Sequence, residues 1–439
     1  MKAHFLKAQA KKKKYLKNIN LQKKEDDSDG YISSDDQNEK EDFIGKSINS
    51  KYLILKSLGY GTFSKTWLLH DYMDDVFYAL KIHDKKYNEE YIEEIENLKK
   101  ITIGNECDYI SKYYGNIIFK IGNEEYKGIL FELLGDSLNS LIDEKYDKVL
   151  NTKIIKNIFK EVVLGVKYIH DKGYLHNDLK LDNILISNFT NKFNDYIRKI
   201  RELKINDYFN TQINLLLPSD VKLLGKNKRK MLKRKIKERI YKKIPNNFKE
   251  QIVEINNNYN KYDKENKMDL DNIHIKIIDL GNSEKIGEIE SDEILCRSYR
   301  PPENILNNYY DNKADIWVLG CLLYELLNGN CLFDLRGYDC KGIEKDRIHL
   351  SQMCNVLGKI PRNISDKCEF NEELFDTKGR IIKNKSIDSR DIKKELANRF
   401  NIGDDEIDKI NDLLFKILDY NHMIRLNCDE ILNHKWFLD

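Results

Sequence analysis

The sequence predicts an α+β chain of two lobes, a small β-rich one followed by a larger, mostly helical one. Three observations predict it. Between residues 52 and 134 the apolar residues fall in short strand-like runs broken by glycine turns, with one helical segment among them. From Leu138 onward the apolar spacing changes to three and four residues, the helical step. A lysine-rich stretch at about 190–272 interrupts this helical part.

Residues 1–50 pass from basic (Lys11, Lys12, Lys13, Lys14) to acidic (Asp26, Asp27, Asp35, Asp36). They lack apolar periodicity and read as a disordered charged tail. The lysine run also fits a nuclear-import signal.

Residues 51–135 form the expected β-rich lobe. Tyr52-Leu53-Ile54-Leu55 opens a strand, Thr66-Trp67-Leu68-Leu69 follows a glycine turn, and 77–82 reads as a third strand. Residues 89–101 place Ile92, Ile95, Leu98 and Ile101 on one helical face. Residues 128–134 are again strand-like.

Residues 136–439 form the expected helical lobe, in which Ile155, Ile158, Val162, Val166 and Ile169 mark one amphipathic helix. Within the insert, Leu232, Ile236, Ile240 and Ile244 recur every fourth residue with Lys and Arg between them, a basic amphipathic helix. Three readings stay open for it: its stripe packs on the neighbouring lobe, it serves a partner or localisation, or it binds nucleic acid. No aromatic residues interleave with its basic positions as a stacking surface for single strands requires.

Composition narrows the class. The 439 residues are 34% charged with a net charge of +2. Residues 191–270 hold 21 Lys+Arg against 10 Asp+Glu, so the rest of the chain is acidic and favours basic partners. Eight cysteines contain no C-x-x-C pair, which argues against zinc and dithiol chemistry. No apolar leader opens the chain, and the longest apolar stretch, 316–327, contains Glu325 and is too short to span a bilayer. A soluble intracellular protein with reduced thiols is expected, cytoplasmic and with access to the nucleus.

The chemistry lies in separated polar motifs. His176-Asn177-Asp178-Leu179-Lys180-Leu181-Asp182-Asn183 precedes a short apolar strand. There Asp178 suits acceptance of a hydroxyl proton, Lys180 steadying of a moving phosphate, and Asn183 binding of a metal ion. Gly59-Tyr60-Gly61-Thr62-Phe63-Ser64 sits between two strands, where its backbone N–H groups can face phosphates. Lys81 ends the next strand, Glu94 lies on the following helix, and Asp279-Leu280-Gly281 follows an apolar strand where an acid can hold Mg²⁺. Each motif alone also fits a solvated turn, a hairpin or an exposed side chain. Their joint occurrence in this order points to phosphoryl transfer.

On these motifs the chain resembles a eukaryotic-type serine/threonine protein kinase over about 50–190 and 271–439. Pro301-Pro302-Glu303 resembles the end of the activation segment. Asp315-Ile316-Trp317-Val318-Leu319-Gly320 resembles the helix that anchors the catalytic loop, and Arg425 the late arginine that pairs with Glu303. Within kinases it is most similar to the serine/arginine-protein kinase family. The shared details are Ser64 at the third loop glycine, Asp279-Leu280-Gly281-Asn282, the R-x-Y-R run at 297–300, Phe131-Glu132-Leu133-Leu134-Gly135, and a long basic spacer.

The resemblance implies a bilobal protein-kinase fold that uses ATP and Mg²⁺. Leu58, Gly59, Tyr60, Gly61, Thr62, Phe63, Ser64, Lys65 and Thr66 would cover the nucleotide, with adenine against Glu132 and Leu134 and Phe131 as gatekeeper. Lys81, held by Glu94, would bind phosphates, and Asn183 and Asp279 would bind Mg²⁺. Asp178 would be the base and Lys180 would stabilise the transferring group. The implied partners are protein substrates, basic or Ser/Arg-rich, for a chain acting as a monomer, with no membrane and no nucleic acid as primary partner. A pseudokinase scaffold binding basic partners is the alternative.

Departures carry expectations of their own. Asn177 replaces the arginine that receives an activating phosphate, which implies a loop ordered without phosphorylation. Thr66 puts a hydroxyl against the base, and Cys296 offers only a weak donor near the catalytic residues. Ile348 and Asn355 occupy the family's acidic docking positions, leaving Asp334, Glu344 and Asp346 as substitutes.

Overall fold

The computed structural model describes residues 43–438, apart from 62–63, 105–106, 143–149, 241–244, 262–271, 290–295, 307–309, 339, 369–370, 383–388 and 401. Thr62, Phe63, Ile244 and the charged tail up to residue 42 therefore lie outside the described residues.

The first lobe is an antiparallel sheet of β1 (Ser47–Ile48), β2 (Tyr52–Tyr60), β3 (Ser64–Asp71), β4 (Val76–His83), β5 (Tyr113–Ile121) and β6 (Glu124–Glu132), in the order β1-β2-β3-β4-β6-β5. Helix α1 (Asn88–Thr102) follows β4 and buries Glu94, Ile95, Leu98 and Ile101 on one face. Regular structure begins before residue 51, which corrects the expected tail boundary. Phe43 is buried edge-on against Trp67 and Tyr126, and Ile48 pairs with Tyr52. The charge run ends at Asp42, and the apolar residues just beyond it have a sheet core to fill.

Successive strand residues face opposite sides of a sheet, so the unbroken apolar run in β2 implies cover on both faces. Ile54 joins one core with Trp67, Leu69, Leu80 and Phe119. Leu53 and Leu55 join another with Leu68 and Tyr72. The lysine-rich insert completes this second core.

After α2 (Thr152–Asp171), capped at its start by the Asn151 side chain, the insert forms α3 (Asn191–Glu202), α4 (Ile205–Leu216), α5 (Lys226–Ile240) and α6 (Asn246–Lys261). These helices bring Tyr196, Ile200, Phe209, Ile213, Phe248 and Ile252 onto the β2–β3 face, and Ile236 and Ile240 pack against that cluster. Two residues of the basic helix's stripe thus reach this cluster, and the helix packs on α4 of the insert, while Lys228, Lys230, Lys233 and Lys235 face solvent. A buried polar tie accompanies the apolar cover: Asn256 Nδ2 donates to the Leu55 carbonyl at 2.9 Å, and the Tyr196 hydroxyl donates to Asn256 Oδ1 at 2.8 Å.

The insert leaves and rejoins the second lobe at adjacent points. β8 (Ile184–Ile186) pairs with β9 (Ile275–Ile277), and the Ser187 amide donates to the His274 carbonyl at 2.8 Å. A long excursion between neighbouring chain ends costs little closure entropy. β7 (Tyr174–Leu175) pairs with β10 (Glu284–Lys285), so two short ribbons brace the loops between them.

Helix α7 (Lys313–Asn328) is buried from Ala314 to Leu327, so it is apolar on nearly every side. It packs with α2, α8 (Ile392–Arg399) and α9 (Asp404–Ile417). Gly320 permits this approach, since a Cβ there would lie 2.7 Å from Leu418 Cδ2.

These elements belong to a unit made of Phe43–Asn304, Tyr309–Leu332 and Asp391–Asp439. A smaller unit contains Ile305–Asn308 and Phe333–Arg390 and is built around the helix Ile343–Leu357, which buries His349, Leu350 and Met353. Among the described residues no helix is long and apolar enough to cross a membrane.

Candidate active site

The catalytic-loop motif is held from beneath by one buried carboxylate. Asp315, at the start of α7, accepts hydrogen bonds from the His176 amide at 2.7 Å and the Asn177 amide at 3.2 Å, and its Oδ2 lies 2.9 Å from His170 Nε2. The His176 ring accepts from the Asp178 amide at Nδ1 (3.2 Å), so its hydrogen sits on Nε2, which donates to the Ile278 carbonyl at 3.0 Å. One imidazole thus ties the loop to the residue before Asp279. Asn177 has φ +69. Asparagine tolerates this left-handed conformation better than most residues, which gives the Asn at this position a local reason.

Asp178 is buried, with Lys180 Nζ at 3.0 Å and Asn183 Nδ2 at 3.0 Å from its Oδ2. Burial raises the Asp178 pKa above the ordinary carboxylate range, with the Lys180 charge pulling it back. Asn183 Nδ2 also donates to the Asp178 carbonyl at 2.8 Å. The β8–β9 pairing brings the distant acid alongside: the Ile278 amide donates to the Asn183 carbonyl at 2.9 Å.

Asp279 has φ +65, in the left-handed region that Asp, like Asn, enters more readily than most residues. Lys81 Nζ bridges it at 2.9 Å to Glu94 at 2.8 Å. Burial opposes charge on Asp279, yet Lys81 outweighs it and holds the carboxyl down at about 2. Two residues missed by sequence reasoning secure this arrangement. Asn97, one turn after Glu94, donates to the carbonyls of Leu280 (3.2 Å), Gly281 (3.3 Å) and Ser283 (2.8 Å), tying α1 to the Asp279 segment. Its place on the buried face beside Glu94 was the available signal. His83 Nε2 lies 2.9 Å from the second oxygen of Glu94; nothing in a polar residue at a strand end announces that contact.

The other expected nucleotide contacts occupy the β2–β3 turn and the strand β6. Gly59 and Gly61 have ordinary φ, and a Cβ on Gly59 would meet nothing within 4 Å. These glycines leave open space rather than supply a special conformation. Gly61 N donates to the Ser64 carbonyl at 2.8 Å, Tyr60 and Lys65 are exposed, and Thr66 is half-buried. Leu58 packs against the core that the insert completes. Thr66 stands opposite Lys81 in the β3–β4 ladder. Glu132 Oε1 meets both the Lys112 amide at 2.5 Å and Lys276 Nζ at 2.9 Å, and the Glu132 amide donates to the Lys112 carbonyl at 3.0 Å. Leu134 is buried. Gly135 is obligatory, since a Cβ there would lie 2.2 Å from the Asn188 carbonyl oxygen.

Burial pushes the Cys296 thiol up to about 12, with Lys180 and Asp178 among the charges acting on it. The thiol is therefore protonated and a poor nucleophile. In the smaller unit, the substitute docking carboxylates are largely committed. Asp334 is gripped by Arg336 through two contacts of 2.9 Å, and Asp346 is buried, which leaves Glu344 exposed.

A protein kinase domain model matches residues 52–211 and 263–437. This chain belongs to the protein kinase family. The unmatched residues 212–262 fall within the insert. The kinase is 26% identical to serine/threonine-protein kinase SRPK of Physarum polycephalum, over 90% of this chain and 88% of that one. It is 24% identical to protein kinase dsk1 of Schizosaccharomyces pombe (90% and 82% covered) and 25% identical to serine/threonine-protein kinase AFC1 of Arabidopsis thaliana (90% and 72% covered). A crystal structure of a kinase domain matches with a TM-score of 0.60 at 21% identity, over 90% of this chain and 97% of that chain, a likeness of fold. The kinase is thus an ATP-dependent protein serine/threonine kinase, similar to SR-protein kinases, with the bilobal α+β fold expected. Its family uses ATP and Mg²⁺ and acts on protein substrates.

The donors present fit Mg²⁺. Among the described residues no cluster of three His, Cys, Asp or Glu side chains would hold an ion unaided. Mg²⁺ is commonly held by one or two carboxylates with substrate phosphates and water. The Asp279 carboxylate and the Asn183 amide oxygen, whose Nδ2 faces Asp178, are such hard oxygen donors.

Proposed function

We propose that this kinase transfers the γ-phosphate of ATP to Ser or Thr in basic, Ser/Arg-rich protein segments, with Asp178 as the base. The observation that carries the reading is a single ammonium, Lys81 Nζ, touching both Glu94 and Asp279. That geometry leaves one of its three hydrogens for a phosphate oxygen. Asp178 accepts the proton of the incoming hydroxyl, for which its upward-shifted carboxyl is suited. Lys180, 3.0 Å away, follows the charge that develops on the transferred group. Asp279 and Asn183 would hold Mg²⁺, which when bound neutralises phosphate charge. The glycine turn at 58–66, including Thr62 and Phe63, would cover the phosphates, and Glu132 with Leu134 would meet adenine.

The preference for basic substrates rests on the acidic balance of the chain outside 191–270. Ile348 and Asn355 at the docking positions, with Asp334 and Asp346 committed, argue for a shallower basic-peptide preference than a fully acidic groove would give. We further propose that the kinase acts as a monomer, in the cytoplasm with access to the nucleus.

The test is a radiolabelled phosphate-transfer assay on a basic Ser/Arg peptide, with Asp178→Ala beside the native chain. Loss of a positioned base lowers turnover by roughly 10²–10⁴-fold. Equal labelling by both proteins would sink the assignment of Asp178, and preference for an acidic peptide would sink the substrate class.

A further inference from the structure

Lys81 and His83 are two apart on β4, so both side chains leave the same face of the strand. The residue between them, Ile82, joins the apolar core on the other face. Glu94 on α1 receives both: Lys81 Nζ lies 2.8 Å from Oε1 and His83 Nε2 lies 2.9 Å from Oε2. The Glu94 and His83 side chains are 2% and 5% exposed, so this is a desolvated contact rather than a surface pair. His83 Nδ1 is buried and makes no hydrogen bond among the described residues, which puts the ring hydrogen on Nε2, facing Glu94. The same ring meets Tyr91 edge-on at 5.4 Å, one helical turn before Glu94. The Tyr91 hydroxyl in turn accepts from Asn116 on β5 at 3.3 Å.

We propose that His83 is a positioning residue for phosphoryl transfer, which clamps the second oxygen of Glu94 and so keeps that carboxylate aimed at Lys81. The proposal rests on Lys81 as the phosphate ligand. Lys81 divides its hydrogens between Glu94 and Asp279, and a bound phosphate competes for the same ammonium. A carboxylate held by Lys81 alone would be free to swing about its own side chain when that competition begins. Held at both oxygens, it stays in place, and α1 stays with it.

The test uses steady-state kinetics of the full-length kinase with ATP varied. His83→Phe keeps a ring beside Tyr91 and removes the donor. A hydrogen bond to a charged group predicts about a tenfold fall in kcat/KM for ATP. His83→Gln restores an N–H near the Nε2 position and recovers kcat/KM to within about threefold of native. In a Glu94→Gln background the His83→Phe effect shrinks below about twofold, because the partner charge is gone. The proposal is overturned if His83→Phe stays within about twofold of native, or if it loses as much activity in the Glu94→Gln background as in the native one. Lys81→Met run in parallel separates the two readings: full activity there removes the assignment of Lys81, whereas its loss beside a native-like His83→Phe removes only the clamp.

Discussion

Arg425 and Glu303, 122 positions apart, close a buried two-bond ion pair, with Nη1–Oε1 at 2.7 Å and Nη2–Oε2 at 3.0 Å. The remaining guanidinium hydrogens go to the carbonyls of Lys313 (2.7 Å) and Asp419 (2.8 and 3.1 Å). Trp317 lies under the guanidinium plane at 5.2 Å. All five N–H groups of the arginine therefore have acceptors.

Removing one partner of such a pair strands a buried charge. Arg425→Ala is expected to cost about 3–5 kcal/mol of unfolding free energy. Arg425→Lys keeps the charge but not the planar fork, so it should recover only part of the loss. Urea unfolding followed by tryptophan fluorescence measures both. A loss below about 1 kcal/mol for the alanine variant would show that the pair is dispensable.

The acidic limb of the pH profile should report Asp178. Burial raises its pKa and Lys180 lowers it. A base with a raised pKa becomes protonated, and inactive, at a higher pH than an ordinary aspartate. Lys180→Ala removes the lowering influence, so the pKa rises further and the acidic limb moves to higher pH, on top of a lower plateau. kcat/KM measured from acidic to mildly alkaline pH decides it. A limb that stays put or moves to lower pH would show that another group is titrating.

The insert should be coupled to the sheet through Asn256. Asn256→Leu leaves the Leu55 carbonyl and the Tyr196 hydroxyl without their partner inside the core, at about 1–3 kcal/mol for each stranded group. The expected result is faster amide exchange in α3, α6 and β2 together, since all three share one cluster. Exchange that rises in α6 alone would show that the insert is not tied to β2. A point variant serves better than deletion of the insert, which would bare Leu53, Leu55, Leu68 and Tyr72 at once.

Much of the site was legible because its residues carry chemistry at short, fixed separations. Asp178, Lys180 and Asn183 belong to one tight loop, and local chain geometry puts Lys180 Nζ and Asn183 Nδ2 each 3.0 Å from Asp178 Oδ2. Glu94 was legible only as a charge on the helix after Lys81, where a surface glutamate fits as well, and Ile92, read onto the apolar face, is exposed while Glu94 is buried. His83 and Asn97 were not, because each acts through a residue on another element. Phe43 was missed because one aromatic after a charge run has no local pattern around it.

The sequence by itself determined the two-lobe α+β order, the kinase motifs and the amphipathic character of the basic helix, since propensity, periodicity and local spacing are properties of neighbours along the chain. Only the tertiary structure decided that the insert covers the Leu53 and Leu55 face of the sheet, that Glu94 is shared between Lys81 and His83, and that all five N–H groups of Arg425 find acceptors in the core. These are pairings between elements far apart in sequence, and what selects them is the burial of complementary surfaces that no single segment contains.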